Sequence, residues 1–220
     1  MTYSDFATSL ARQAGEIIKK YFFEGVETEY KEHQSHVTIA DRTINQLVAD
    51  AIAKKFPKHG FIGEEGGGFN QNAEYIWVCD PLDGTLLFVA GIPNVAFSLS
   101  LVQDGQPILG TIYHPFSERL YSAEIGKGTR LNGKAVRVNT VNTLSRSLVG
   151  IFAWNKAHYD FTGVLTTLIK DTGADFQTGS AVYLGALVAS GEAVANLFPH
   201  TTPWDVAAQK IIVEEAGGKT

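Results

Sequence analysis

The sequence predicts an α+β fold over its first two thirds and an α/β arrangement over the rest, joined tightly near residue 145. Two observations carry the first part. Residues 4–23 and 41–56 place apolar side chains at helical spacing, and the segments 75–79 and 96–121 are apolar and β-prone, with turn signals within and after them. A third observation carries the second part: after residue 145, short apolar strands alternate with helical stretches. No internal repeat or low-complexity linker separates the two parts, so 1–145 is read as an amino-terminal lobe and 146–220 as a carboxy-terminal one.

The elements follow in order. In the first helix Phe6, Leu10, Ala14, Ile17, Ile18 and Tyr21 share a face, and Ser4 is the expected cap. Residues 26–38 are polar and strand-like. The second helix is expected from Asp41 to Phe56, where Pro57 stops it, with Ile44, Leu47, Val48, Ile52 and Phe56 inward. Phe61-Ile62 is a short apolar run leading into Gly63-Glu64-Glu65-Gly66. Tyr75–Cys79 reads as a buried strand that ends at Asp80 in a turn made by Pro81. Residues 96–121 read as a meander broken at Asp104-Gly105 and His114-Pro115, and Asn132-Gly133 is a hairpin signal. Beyond the join, strands are expected at 148–152 and 193–198, and helices at 161–172, 180–190 and 205–216.

Composition narrows the function. With 45% hydrophobic and 19% charged residues, the 220-residue chain is an ordinary globular protein. A formal net charge of −5 argues against a nucleic acid polymer as partner. The single cysteine, Cys79, excludes an intrachain disulfide framework and suits a reducing cytoplasm. It lies in an apolar strand and is read as a core residue. No run approaches the about 20 apolar residues of a membrane span.

Four acidic segments carry chemistry in combination. Asp80 and Asp83 lie three apart around a turn, and two carboxylates in one space repel unless a proton or a hard cation joins them. Gly84-Thr85 follows at a helix start, where backbone N–H groups suit a phosphate oxygen. Glu64 and Glu65 sit among glycines that leave the backbone free to present them. Asp205, after Pro203-Trp204, and Asp41, after Val37-Thr38-Ile39-Ala40, stand just before helical stretches. Taken singly, each fits a helix cap, a turn or a solvated acidic loop as well as it fits a ligand.

Their order changes the balance. Lys31, then Val37-Thr38-Ile39-Ala40-Asp41, Gly63-Glu64-Glu65, Trp77-Val78-Cys79-Asp80-Pro81-Leu82-Asp83-Gly84-Thr85 and Pro203-Trp204-Asp205 through Glu215-Ala216-Gly217-Gly218 resemble the inositol monophosphatase family. Tyr113-His114-Pro115, the stretch from Gly126 to Gly133 and Gly179-Ser180-Ala181 match as well, so the resemblance spans nearly the whole chain. It implies a layered α-β-α-β-α sandwich of the sugar-phosphatase type. It further implies Mg²⁺-dependent hydrolysis of a small phosphate monoester, two or three cations per site (Mn²⁺ substituting), lithium sensitivity and a homodimer. By the same resemblance Glu64, Asp80, Asp83, Asp205 and the Leu82 carbonyl hold metal, and Glu65 lies near a third cation. Thr85 orients the attacking water with Glu64, and Asp41 orients Thr85. Gly84, Thr85, Asp83, Gly179, Ser180, the position of Phe198 and Asp205 face the substrate.

The departures fall on the substrate side. Phe198 stands where relatives carry an acidic or polar residue, Phe176 replaces an arginine, and Leu86-Leu87 replaces a more polar pair. His200 is a further candidate contact. The sequence stops after Glu-Ala-Gly-Gly, where relatives continue with a strand and a helix, so apolar surface is expected near the second lobe. A 3′(2′),5′-bisphosphate nucleotidase or a histidinol-phosphate phosphatase could use the same metal core. A catalytically weak regulator that binds a phosphometabolite is the non-enzymatic alternative.

Overall fold

In the computed structural model, residues 2–25, 28–30, 36–152, 160–198 and 201–220 are described. Helix α1 (Tyr3–Glu24) is capped by Thr2, not Ser4, because Asp5 three residues on returns its carboxylate to the Thr2 N–H at 2.9 Å. Strands β1 (Thr28–Tyr30) and β2 (His36–Thr38) form an antiparallel pair. Helix α2 (Ile39–Lys55), capped by Thr38, starts two residues before the expected Asp41.

A seven-stranded sheet follows: β3 (Gly60–Gly63), β4 (Tyr75–Asp83), β5 (Ala96–Gln103), β6 (Gln106–His114), β7 (Arg119–Glu124), β8 (Thr129–Leu131) and β9 (Lys134–Val136), paired in that order. Only β3–β4 is parallel; the remaining pairs are antiparallel. The short helix α3 (Thr85–Val89) leaves the end of β4. In the rest of the chain, β10 (Leu148–Ile151), α4 (Thr162–Asp171), β11 (Asp175–Gln177), α5 (Ala181–Ala189), β12 (Ala195–Leu197) and α6 (Pro203–Glu215) build a parallel three-stranded sheet, ordered β11-β10-β12, with its helices. The three-residue β11 was not anticipated.

The layers follow from which faces are apolar. One face of the large sheet presents Trp77, Cys79, Leu99, Leu101 and Tyr113 to Phe6, Leu10, Ala14 and Ile18 of α1 and Ile44, Val48 and Ile52 of α2. The other presents Ala96, Ile112, Tyr121 and Ala123 to Val182 and Ala186 of α5 and Ala208, Ile211 and Ile212 of α6. Leu184 and Leu187 on α5 belong to a further apolar cluster with Ala193 and Leu148, on the side of the small sheet. The result is the layered sandwich expected, each buried large side chain worth roughly 2 kcal/mol of transfer free energy. Helix α4, between β10 and β11, buries none of its residues, and Val164 and Ile169 are exposed on it.

Polar ties fix the α5/α6 layer to the large sheet. Glu215 accepts from the N–H groups of Gly126 and Gly128, both at 2.8 Å, and Arg119 pairs with Glu192 at 2.6 Å. Among the described residues no helix is long and apolar enough to cross a membrane.

Candidate metal-dependent active site

The site grows from an irregularity in β4. The strand does not end at Asp80; it runs to Asp83, with Asp80 opposite Ser98 but Asp83 opposite Ala96. Three residues on one strand therefore match two on its neighbour, a β-bulge, and Pro81 is tolerated there because no ladder N–H is required of it. The bulge decides direction. Trp77 and Cys79 point to the α1/α2 side, so Asp80 points to the α5/α6 side. In a regular strand Asp83 would face the opposite way. With the extra residue, both carboxylates face α5.

Each aspartate is then fixed by neighbours. Asp80, 1% exposed, accepts the Leu82 N–H at 3.0 Å. Asp83 Oδ2 accepts from Val182 N–H at 2.8 Å and from the Ser180 hydroxyl. Asp205 stands at the third position of α6, where its Oδ2 accepts from the N–H and the hydroxyl of Thr202, each at 2.8 Å. Asp41 stands likewise at the third position of α2, taking the Thr38 N–H at 2.8 Å and the Thr38 hydroxyl at 2.6 Å. Neither is the N-cap expected from the sequence. Both are the acidic partners of capping boxes whose caps are threonines.

Asp80, Asp83 and Asp205 each bring a carboxylate oxygen within 4.8 Å of the others. Burial raises the pKa of Asp80 well above the usual carboxylate range, with the charges of Glu64, Asp83 and Asp205 adding to it. Burial pushes Asp83 up to about 7 against the opposing donors Ser180 and Val182. Asp41 is raised too, first by burial. Three converging oxygens of this kind make a donor set for a hard divalent cation, whose charge would offset the desolvation and repulsion. The residues present therefore fit Mg²⁺.

Beside this cluster, the Thr85 hydroxyl lies 3.1 Å from Asp41 Oδ1 and 3.1 Å from the Leu82 carbonyl. Thr85 opens α3 after Gly84, whose φ of 93° and nearby Asn94 carbonyl, 3.1 Å from a would-be Cβ, reserve the position for glycine. Glu64 and Glu65 follow β3 on a half-buried turn, held where the Glu64 N–H reaches the Cys79 carbonyl at 3.1 Å. Glu64 acts electrostatically on Asp41, Asp80 and Asp83 but lies outside the three-carboxylate cluster, as does Glu65. Gly179 packs against the Asn94 amide, and Phe198 is half-buried just past β12. Lys31 and His200 lie outside the described residues. Burial and the neighbouring Asp80 and Glu64 raise the Cys79 thiol well above its usual pKa, which removes it as a nucleophile.

Sequence reasoning missed the holders of the carboxylates. Thr38 and Thr202 were legible as Thr-x-x-Asp spacings, which Thr2 and Asp5 repeat. Ser180 was singled out for substrate, but what its hydroxyl meets is Asp83.

Comparison with known proteins assigns the family. The profile of the "Inositol monophosphatase family" matches residues 2–220. Inositol monophosphatase 2 of Solanum lycopersicum is 36% identical over 228 positions, which cover 98% of this chain and 85% of its own. Nus factor SuhB of Pseudomonas aeruginosa is 32% identical, covering 97% of this chain and 83% of its own. Among solved structures, the Thermotoga maritima IMPase superposes with a TM-score of 0.87 at 31% identity, covering 97% of this chain and 82% of its own. A match across the whole described sandwich, made by profile, by sequence and by backbone, places this chain in the inositol monophosphatase family.

Proposed function

We propose that this chain hydrolyses a small phosphate monoester, of inositol monophosphate or sugar phosphate type, with Mg²⁺ as cofactor. The observation that carries the reading is the convergence of Asp80, Asp83 and Asp205 beside a threonine hydroxyl already paired with a buried aspartate. Asp80, Asp83, Asp205, Glu64 and the Leu82 carbonyl would hold two cations, and Glu65 a third. Bound Mg²⁺ supplies charge neutralisation and acidifies water.

The protein's own groups do the rest. Asp41 takes the Thr85 proton in a hydrogen bond, leaving the hydroxyl lone pairs to orient the attacking water. Glu64 receives the proton that this water loses. The N–H groups of Gly84 and Thr85 hold the phosphate in line. Asp83, Asp205, Gly179 and Ser180 form the wall facing the leaving group. Phe198 and Phe176 remove polar contacts there, so the choice among inositol phosphate, a 3′(2′),5′-bisphosphate nucleotide and histidinol phosphate rests on that wall.

The test is a phosphate-release panel with those three substrates in Mg²⁺ or Mn²⁺, with and without lithium. Release that EDTA abolishes is the expected outcome; full release in excess EDTA refutes the reading. No turnover on the panel, with metal bound, would favour the regulator. A homodimer in a reducing cytoplasm completes the proposal, and light scattering on the eluted protein checks the dimer.

A further inference from the structure

Two amides behind the site, the buried Gln209 of α6 and the half-buried Asn196 of β12, have no part in the roles above. Gln209 on α6 is 6% exposed, and its Nε2 donates to the Asp205 carbonyl at 2.6 Å. Its Oε1 accepts from Asn196 Nδ2 at 3.2 Å, and the same Asn196 nitrogen donates to the Ala181 carbonyl at 2.9 Å. Ala181 opens α5, and its two chain neighbours, Ser180 and Val182, are the donors to Asp83. An unbroken line of polar contacts thus runs from the residue that carries one carboxylate to the turn that clasps another.

The fold makes room for this line at a cost. Gly185 lies inside α5, where glycine costs about 1 kcal/mol relative to alanine. A Cβ there would collide with Gln209 Oε1. Gly150 lies inside β10, where glycine also weakens the element, and its Cβ would lie 2.7 Å from Asn196 Oδ1. Asn196 Oδ1 is itself buried without a hydrogen-bond partner among the described residues, a further cost. Apolar side chains at 196 and 209 would fill the layer without any of these penalties.

We infer that Gln209 and Asn196 are positioning residues that set the separation of Asp205 from Asp83 and so tune the cation site. This rests on the reading of those two aspartates as metal ligands. Partners of this kind, one step behind the ligands, change metal affinity by roughly 10–100-fold when removed.

Calorimetric titration of the full chain with Mn²⁺, alongside the metal-free Tm, tests it on the wild type, Gln209→Leu, Gly185→Ala and Gly185→Ala/Gln209→Ala. Gln209→Leu and Gly185→Ala are expected to weaken Mn²⁺ binding by roughly tenfold. The double variant removes the collision and keeps the better helix former, so its Tm is expected to recover while its affinity stays low. It carries the test if Gln209→Leu fails to fold. Wild-type affinity in the double variant, or affinity that rises and falls only with Tm, overturns the inference. A wild type that binds no Mn²⁺ overturns both the inference and the metal-site reading; a wild type and variants that bind alike overturn the inference alone.

Discussion

Asp83 combines conditions that a carboxylate in water never meets: 7% exposure, two donors on one oxygen, and other acids close by. Its pKa of about 7 reports that burial and repulsion outweigh two good hydrogen bonds. Asp83→Asn removes the charge and keeps the shape. We expect it to lower Mg²⁺-dependent phosphate release at least about 100-fold and to abolish the rise in Tm that Mg²⁺ gives the wild type, a rise set by mass action. The metal-free Tm should not fall, because a buried like charge has gone; scanning fluorimetry with and without Mg²⁺ reads both. At this scale the sequence was informative about the carboxylates and silent about their supports. Asp80 and Asp83 announce themselves by spacing. Ser180 and Val182 meet Asp83 from nearly a hundred positions away, and no local pattern encodes such a contact.

Three helices start with the same device. Thr2 with Asp5, Thr38 with Asp41 and Thr202 with Asp205 are capping boxes on α1, α2 and α6, but only the last two lend their aspartate to the site. The contrast gives a prediction. Thr2→Val and Thr202→Val should each cost about 1 kcal/mol of stability, the usual worth of a cap. Only Thr202→Val should also raise the Mg²⁺ concentration for half-maximal activity, by several-fold. Denaturant titrations and metal-activation curves on the two variants make the comparison. Helices α1 and α2 were legible because their apolar periodicity is long, and α5 because it is an Ala-rich apolar stretch. The end of β4 was misread as a turn because Pro81 resembles a turn residue, and only pairing with β5 reveals a bulge. Strand β11 is three residues of Asp-Phe-Gln with no alternation to detect; its neighbour β10 makes it a strand.

Across the molecule, the large sheet carries one apolar layer on each face, and the site opens where the end of β4 meets α5 and α6. The layered fold was legible because strand and helix signals alternate in order; the packing of α6 on the large sheet depends on faces that only assembly defines. His114, 6% exposed at the end of β6, lies against Tyr183 of α5 with ring centroids 4.1 Å apart. Burial lowers its pKa to about 4, and Ser117 reaches its Nδ1 through the N–H at 3.2 Å and through the hydroxyl. The unfolded chain therefore takes up that proton first as pH falls. The stability due to the neutral ring is complete above about pH 6.5 and is lost on the way down to about pH 4, an effect on the order of 2 kcal/mol once solvent screening is allowed for. His114→Gln should flatten that part of the acid limb in urea melts taken from pH 7 to pH 4; an unchanged slope refutes the assignment.

The bulge at Asp80–Asp83 makes the site a matter of parity. Side chains along a strand obey an odd–even rule, and the extra residue is the single term that brings both aspartates to the same side. No acidic residue need be altered to dismantle the cluster: removing Pro81 would leave every carboxylate in the chain and aim one of them through the sheet.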